Sequence, residues 1–322
     1  MTAPQQTPEG GYVADAPAGN WVDRFAPARS RPYLRLSRAD RPIGTWLLLI
    51  PCFWGLALAA TPTGFTAFDL WIALGCTLGA ALMRGAGCTW NDITDRDFDA
   101  AVARTKSRPI PSGQVTVKQA LVWMIGQCAL GAAILFTFNT LAVTLGVASL
   151  ALVAVYPFAK RFTWWPQMFL GLAFNWGVLV AWAAHAGTLP PAAILLWLSG
   201  IAWTLFYDTI YAHQDKEDDA MIGVKSTARL FGDKNTKIWL RGFFIAATLL
   251  MTVAVIQTLA PHAPSLPKLV VALVGVWGFG WHLAQQLARL DTTDPAKCLV
   301  LFRSNRNAGL IAALFFAGAA LL

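Results

Sequence analysis

Two clusters of acidic side chains are the residues of this 322-residue chain best suited to chemistry. In WNDITDRDFD, Asn91, Asp95 and Asp99 follow one another at intervals of four residues, and in QDKEDD, Asp215 and Asp219 have the same spacing. On a helix this spacing places side chains along one face. Because like-charged carboxylates in such a row repel each other, we expect a cation between them.

Oxygen ligands grouped in this way suit hard divalent ions, and Mg2+ is usually held by one or two carboxylates with water and substrate phosphates. Basic residues accompany both clusters: Arg104, Lys106 and Arg108 follow the first, Lys225 and Arg229 follow the second, and Lys160 and Arg161 lie between them in sequence. The pattern predicts a diphosphate bridged by Mg2+. The alternative, that each charge run is a solvated helix end, is disfavoured because the arrangement occurs twice.

The elements that must position these residues are predicted to be membrane helices. The chain is 56% hydrophobic and 13% charged, with a mean hydropathy of +0.51, whereas soluble domains are about 45–50% apolar and about 25% charged. Crossing a bilayer takes about 20 residues, and nine apolar stretches approach that length. They are 43–61, 68–90, 119–138, 140–158, 166–184, 190–211, 238–260, 268–290 and 308–322.

The positive charges predict the orientation of these nine stretches. Of the 25 Lys and Arg residues, 23 lie before the first stretch, after an even-numbered stretch, or at the end of a stretch that borders such a loop (Arg241 and Arg289). The positive-inside rule therefore predicts a cytoplasmic N-terminus, and it places both acidic clusters at the cytoplasmic side. Since topology explains the net charge of +8, we predict a lipid bilayer as the partner and no nucleic acid.

The N-terminal region is predicted to differ from the rest of the chain. It has no apolar run before Ile43, which disfavours a secretory signal peptide, and its early acids, Glu9 and Asp15, disfavour a mitochondrial presequence. We predict that residues 1–37 form a disordered or surface-lying tail and that 38–322 form one transmembrane domain. The expected location is a bacterial inner (cytoplasmic) membrane, with the mitochondrial inner membrane as the alternative.

Four longer motifs resemble the UbiA superfamily of intramembrane aromatic prenyltransferases, and within it the 4-hydroxybenzoate polyprenyltransferase branch. They are RADRPIGTWLLLIP at 38–51, GCTWNDITDRDFDAAVARTKSRPIPSG at 87–113, YPFAKRFTWWPQ at 156–167 and YDTIYAHQDKEDDAMIGVKSTARLFG at 207–232. The resemblance extends over about 38–310, and the aspartates of both clusters match its pattern.

The resemblance implies an all-α integral membrane protein, with nine transmembrane helices around a central cavity that opens to the cytoplasmic side under cap loops. The implied reaction is Mg2+-dependent transfer of a polyprenyl group from polyprenyl diphosphate to the ring carbon ortho to the hydroxyl of 4-hydroxybenzoate. Diphosphate is released, and the product enters ubiquinone biosynthesis.

The expected site residues fall into three groups. Asn91, Asp95 and Asp99 would bind one Mg2+ and Asp215 with Asp219 the other, and these four aspartates and Arg161 are the expected catalytic residues. The residues expected to bind the diphosphate are Arg104, Lys106, Arg108, Lys160, Arg161 and Lys225.

The third group consists of two charged residues within the predicted spans. Arg84 lies about two turns deeper than Asn91 on the same helical face, and a charge there costs about 2.5–3.5 kcal/mol. Its guanidinium is suited to hold the carboxylate of 4-hydroxybenzoate bidentately; a structural ion pair is the alternative. Asp208 lies seven residues before Asp215, and we expect it to orient a cation or help remove the phenolic proton, unless its role is structural.

Two rival functions stay open at this stage. Another acceptor, such as homogentisate, a naphthoate, a porphyrin or a tocopherol precursor, would keep the same chemistry. A transporter would also carry intramembrane charges, but transporters tend to place their coupling sites near the membrane midplane, whereas these carboxylates lie at one predicted interface.

Overall fold

The computed structural model describes residues 13, 16–17, 19–102, 105–221, 223–262 and 266–322, and all the regular structure within these ranges is helical. The α-helices are α1 Trp21–Phe25, α2 Arg31–Leu36, α3 Ile43–Ala60, α4 Ala67–Thr94, α5 Arg96–Ala101, α6 Val117–Leu135, α7 Thr140–Phe162, α8 Pro166–Phe174, α9 Gly177–Ala186, α10 Pro191–Ala212, α11 Lys216–Met221, α12 Thr227–Leu259, α13 Leu266–Arg289 and α14 Pro295–Leu321. A short 3-10 turn, Ala260–His262, follows α12.

Eight segments in the described ranges are long and apolar enough to cross a membrane, namely α3, α4, α6, α7, α8 together with α9, α10, α12 and α13. The predicted all-helical class is confirmed, whereas the predicted count of nine is not. The difference is α14, a helix of 27 residues that contains the ninth apolar stretch. Its first half carries Lys297, Arg303 and Arg306, which lower its hydropathy.

The helices form two compact units, each described here by itself. The first contains the described parts of residues 1–45 and 78–133, and the second contains 46–77 and the described parts of 134–322. The first acidic cluster therefore belongs to the first unit and the second cluster to the second.

The first unit packs the N-terminal segment against α4 and α6. Leu36, Ile93, Val115 and Ala120 form a buried apolar cluster, while Ser37 accepts hydrogen bonds from Trp123 Nε1 (2.9 Å) and Gln127 Nε2 (2.8 Å). The hydrogen bonds attach the polypeptide around residue 37 to α6, and the apolar cluster attaches it through Ile93 to α4, the helix that ends in the first acidic cluster. The predicted boundary between a tail and a domain at 37/38 stays a prediction, since much of that tail lies outside the described residues.

The second unit has α10 at its centre, with most of the side chains of that helix buried. Trp203 of α10 donates a hydrogen bond from Nε1 to Asn305 Oδ1 (2.9 Å), and Asn305 donates from Nδ2 to Gln286 Oε1 (3.0 Å). Such bonds between helices orient α10, α13 and α14, because buried polar groups must find partners.

A break divides the fifth apolar stretch into α8 and α9 at Asn175. Asn175 Nδ2 donates to the carbonyl of Gly171 (2.8 Å) and to Thr204 Oγ1 of α10 (2.8 Å). A side-chain amide that bonds the backbone of the preceding turn competes with the helical hydrogen bonds. The interrupted span therefore has an identifiable cause in this buried side chain.

Candidate active site

The first acidic cluster lies where α4 passes into α5. Helix α4 ends at Thr94 and α5 begins at Arg96, with Asp95 between them. The four-residue hydrogen bonds nevertheless continue, from Asp95 N to the Asn91 carbonyl (2.9 Å) and from Asp99 N to the Asp95 carbonyl (2.8 Å). Asp95 and Asp99 are buried and Asn91 is half-buried. The i, i+4 spacing predicted from sequence is thus present despite the break.

Two arginines bind the carboxylates of this cluster. Arg108 Nη1 contacts both oxygens of Asp99, at 2.9 and 3.0 Å, and lies 3.5 Å from Asp92 Oδ1. Arg38 binds Asp92 through both terminal nitrogens, at 2.6 and 2.9 Å. Because Arg108 was expected on the diphosphate, its position against Asp99 shows that it is also the counter-ion of a candidate metal ligand.

Burial raises the pKa of Asp99 above the usual value for an aspartate. Desolvation is the largest cause, since it disfavours the charged form. The guanidinium of Arg108 opposes the shift, and the nearby carboxylates of Asp92 and Asp95 add to it. A carboxylate in this environment is stabilised by any cation that reaches it.

The donor chemistry of the cluster suits a hard divalent cation, because Asp95 and Asp99 supply carboxylate oxygens and Asn91 an amide oxygen. The described residues nonetheless contain no group of three His, Cys, Asp or Glu side chains arranged to hold a metal ion. Arg108 occupies the two oxygens of Asp99 that such an ion would use. The residues thus match a divalent cation in type, and the structure shows one of them, Asp99, neutralised by Arg108.

The second acidic cluster follows α10. Asp215 precedes α11, Asp219 lies within it, and the Asp219 N–H donates to the Asp215 carbonyl (2.8 Å). Both residues are half-buried. The two aspartates are therefore one helical turn apart, as their spacing predicts.

Arg229 of α12 holds the backbone of this second cluster. Its Nη1 donates to the carbonyl of Asp219 (3.2 Å) and also to that of Val224, while its guanidinium carbon lies 5.4 Å from the ring centre of Trp164. The Val224 N–H donates to the same Asp219 carbonyl (2.9 Å). The segment between α11 and α12 is thus closed into a loop beside the aspartates.

Lys225 joins this loop to the end of α7. Its backbone N–H donates to the carbonyl of Lys160 (3.2 Å) and its Nζ to that of Phe162 (3.3 Å). Lys160 and Lys225, both expected on the diphosphate, are therefore brought together in the second unit. Arg161 is exposed in the last turn of α7, with its guanidinium 5.1 Å from the ring centre of Phe158.

His213 is a buried residue at the end of α10, close in sequence to Asp215. Burial, and then the charge of Lys216, lowers its pKa to about 4. Its Nε2 lies 3.1 Å from Thr236 Oγ1 of α12. The imidazole is therefore neutral near pH 7 and packs between helices.

The remaining expected residues are dispersed. Arg84 is half-buried in α4, where Gly44 lies directly against its guanidinium: a Cβ at Gly44 would approach Nε to 2.6 Å. Asp208 is half-buried in α10, so these two residues belong to different units. Lys106 is exposed, and Arg104 lies outside the described residues.

Two further residues, which the sequence patterns do not single out, contact the clusters. Arg38 binds Asp92, and the Trp164 ring lies near the charged groups of Lys225 and Arg229. Both residues lie within motifs that carried the family resemblance, RADRP and KRFTWWPQ. Their position in these motifs indicates that both residues matter to the family, but it does not reveal the partner of either side chain.

Comparison with known proteins identifies the family to which the fold and motifs correspond. Residues 48–317 match the UbiA prenyltransferase family. The 4-hydroxybenzoate polyprenyltransferase, mitochondrial, of Bos taurus is 46% identical over 310 residues, which cover 96% of this chain and 80% of the relative. The Mus musculus protein of the same name is 47% identical over 291 residues, covering 90% and 75%.

A solved structure has the same fold. It is a UbiA homolog from Archaeoglobus fulgidus bound to GPP and Mg2+, with a TM-score of 0.66 and 20% sequence identity, covering 90% of this chain and 99% of that one. Another structure of a UbiA homolog from the same organism is bound to Cd2+. These two relatives were thus solved with a divalent metal ion, Mg2+ in one and Cd2+ in the other.

Proposed function

This chain belongs to the UbiA prenyltransferase family, and from that premise we propose that it transfers a polyprenyl group from polyprenyl diphosphate to 4-hydroxybenzoate. The new bond forms at the ring carbon ortho to the hydroxyl, and diphosphate leaves. The observation that carries the proposal is 46% identity to a 4-hydroxybenzoate polyprenyltransferase over 96% of the chain, with both acidic clusters present.

Each acidic cluster has a role in this reaction. Asn91, Asp95 and Asp99 would hold one Mg2+, and Asp215 with Asp219 the other. When bound, Mg2+ neutralises the charge that develops on the departing diphosphate. Asp95 and Asp99 are buried, and Asp215 and Asp219 are half-buried. These carboxylates are strong ligands, because ion pairing is less screened away from water.

The basic residues complete the binding of the diphosphate. Arg104, Lys106, Arg108, Lys160, Arg161 and Lys225 are assigned to it. The assignment of Lys160 and Lys225 is supported by the backbone hydrogen bond that joins them in the second unit. Positive charges positioned before the reaction stabilise the leaving group without reorganisation, and this is usually the largest contribution to catalysis.

The aromatic acceptor is assigned to residues within the membrane. Arg84 binds the carboxylate of 4-hydroxybenzoate, and Asp208 orients a cation or receives the phenolic proton. The bond between the allylic carbon and the diphosphate oxygen breaks first, the ring carbon attacks the resulting allylic cation, and the ring then loses a proton. A membrane protein suits this reaction because it excludes water, which would otherwise trap an allylic cation.

The location follows from the substrates. A polyprenyl tail is soluble in lipid, whereas the acid and the diphosphate are soluble in water, so the reaction belongs at a membrane surface. We propose the inner (cytoplasmic) membrane of a bacterium, with the N-terminus cytoplasmic. The relatives are called mitochondrial, which makes the mitochondrial inner membrane the alternative.

The test uses the purified full-length protein with geranyl diphosphate, 4-hydroxybenzoate and Mg2+. Asp95→Ala and Asp215→Ala should each lower the rate of prenylated product formation by at least about 100-fold, because each removes a charge that stabilises the transition state. Asp97→Ala is the matched control, since the Asp97 side chain is 87% exposed on α5, and it should keep near-normal activity. Substantial turnover by either test variant would contradict the metal assignment.

A further inference from the structure

Gly44, in the first turn of α3, is a residue of the first unit that the proposed function leaves without a role. We infer that Gly44 is a positioning residue for the aromatic acid, because the guanidinium of Arg84 occupies the space that a side chain at position 44 would fill. The inference rests on the proposed function, in which Arg84 binds the carboxylate of 4-hydroxybenzoate. It gives a reason why glycine is required at this point of the fold.

The distances between the two residues support this role. Gly44 is buried, and a Cβ built on it would lie 2.6 Å from Nε, 2.7 Å from Nη2 and 2.8 Å from Cζ of Arg84. These three nearest atoms all belong to one guanidinium. Non-bonded carbon and nitrogen atoms do not pack so closely, because repulsion rises steeply inside van der Waals contact. Any larger residue at position 44 must therefore displace a neighbouring group.

The guanidinium is the group in this contact that moves most easily. It is the end of a long side chain with several rotatable bonds, whereas Gly44 belongs to a helical backbone. The backbone of α4 beside Arg84 is closely packed, since a Cβ at Gly85 would lie 2.9 Å from Ser37 Oγ, and Ser37 is bonded to α6. A side chain at position 44 would therefore shift the guanidinium and leave the backbone in place.

Such a shift is large enough to impair the binding of a carboxylate. Ordinary van der Waals contact begins at 3.4 Å, so Nε, at 2.6 Å, must move away from a new Cβ by at least about 0.8 Å. Parallel hydrogen bonds between a guanidinium and a carboxylate require a fixed geometry, and binding groups must be held within about 0.5 Å of their productive position. We expect the displaced guanidinium to lose at least one of its two hydrogen bonds to the acid.

Steady-state kinetics of Gly44→Ala test the inference. The full-length protein is purified as wild type, Gly44→Ala, Arg84→Ala and the double variant, and KM is measured for 4-hydroxybenzoate and for geranyl diphosphate at saturating Mg2+. We expect Gly44→Ala to raise the KM for the acid about tenfold, the effect of losing one hydrogen bond to a charged group. The KM for the diphosphate should not change. Gly79→Ala is the control, since a Cβ there meets no atom within 4 Å.

The double variant shows whether Gly44 acts through Arg84. The Arg84→Ala variant has no guanidinium to displace, so adding Gly44→Ala to it should not raise the KM for the acid any further. An additive increase overturns the inference, because Gly44 would then act on the substrate or on the fold directly. An unchanged KM for the acid in Gly44→Ala alone overturns it as well.

Should Gly44→Ala fail to fold, the comparison is made in the Arg84→Lys background, because an ammonium group is more compact than a guanidinium. A KM for the acid that is the same with and without Gly44→Ala then overturns the inference, and a higher one supports it. The proposed function fails in a different way: if Arg84→Ala leaves the KM for the acid unchanged, the role of Arg84 itself is wrong. If Arg84→Ala raises that KM and Gly44→Ala does not, the role of Arg84 stands and positioning by Gly44 is wrong.

Discussion

Replacing Arg229 by alanine should impair the second acidic cluster without removing any of its carboxylates. Arg229 is half-buried at the start of α12 and donates to the backbone carbonyls of Asp219 and Val224, with its guanidinium over Trp164. It contacts the backbone that carries Asp219 and therefore acts as a positioning residue. Its loss should loosen the segment from 213 to 226.

The magnitude follows from the lost contacts. A hydrogen bond from a charged donor contributes about 1.5–3 kcal/mol, and a cation–π contact about 0.5–1 kcal/mol at a partly exposed site. Arg229 makes two such bonds and one ring contact, and because it is only half-buried the sum of their free energies must be reduced. About 3 kcal/mol then remains as the contribution of Arg229 to the order of this segment. Since about 1.4 kcal/mol is a factor of ten, a loss of this size should lower kcat/KM by about 100-fold or slightly more.

The assay is the initial rate of product formation at increasing Mg2+ concentration. Because a cation binds the ordered segment preferentially, saturating Mg2+ should restore part of the activity and the Mg2+ activation constant should rise. Arg229→Lys should restore little, since one ammonium cannot reproduce the planar fork of donors. Lys234→Ala, which removes an exposed cation from the same helix, is the matched control.

One result would refute this reasoning. If Arg229→Ala lowers kcat while the Mg2+ activation constant stays unchanged, Arg229 does not order the metal-binding segment. It would then act on the diphosphate itself, like the other basic residues assigned to the substrate.

Two further predictions concern packing and the acceptor. Gly55→Ala should destabilise the protein by about 1–3 kcal/mol, because a Cβ there would overlap the backbone of Val178, whose carbonyl carbon would be 2.9 Å away; thermal unfolding in detergent measures this, with Gly79→Ala, where a Cβ meets no atom within 4 Å, as the control. Arg84→Ala should raise the KM for 4-hydroxybenzoate about tenfold or more, since a bidentate charged contact is lost, with the KM for the prenyl diphosphate unchanged. An unchanged KM for the aromatic acid would exclude the proposed role of Arg84.

The helices were predicted well where hydropathy alone defines them. The sixth stretch, predicted at 190–211, is α10, Pro191–Ala212, because an apolar segment of that length has few alternatives in a bilayer. The seventh, predicted at 238–260, belongs to α12, which already begins at Thr227. The turns of α12 before residue 238 contain polar residues and a kink at Gly232, whose backbone is non-helical (φ 62°), so a hydropathy pattern does not detect them.

The class of protein, most of its membrane helices and the four-residue spacing within both acidic clusters can be predicted from composition and from neighbours along the chain. The partners of the charges, in contrast, depend on the tertiary structure. Arg38 binds Asp92 across 54 residues of sequence, and Lys225 binds the carbonyl of Phe162 across 63. The helix break at Asn175 likewise requires Thr204 of another helix. Such contacts depend on which helix faces are adjacent, and local spacing does not specify that.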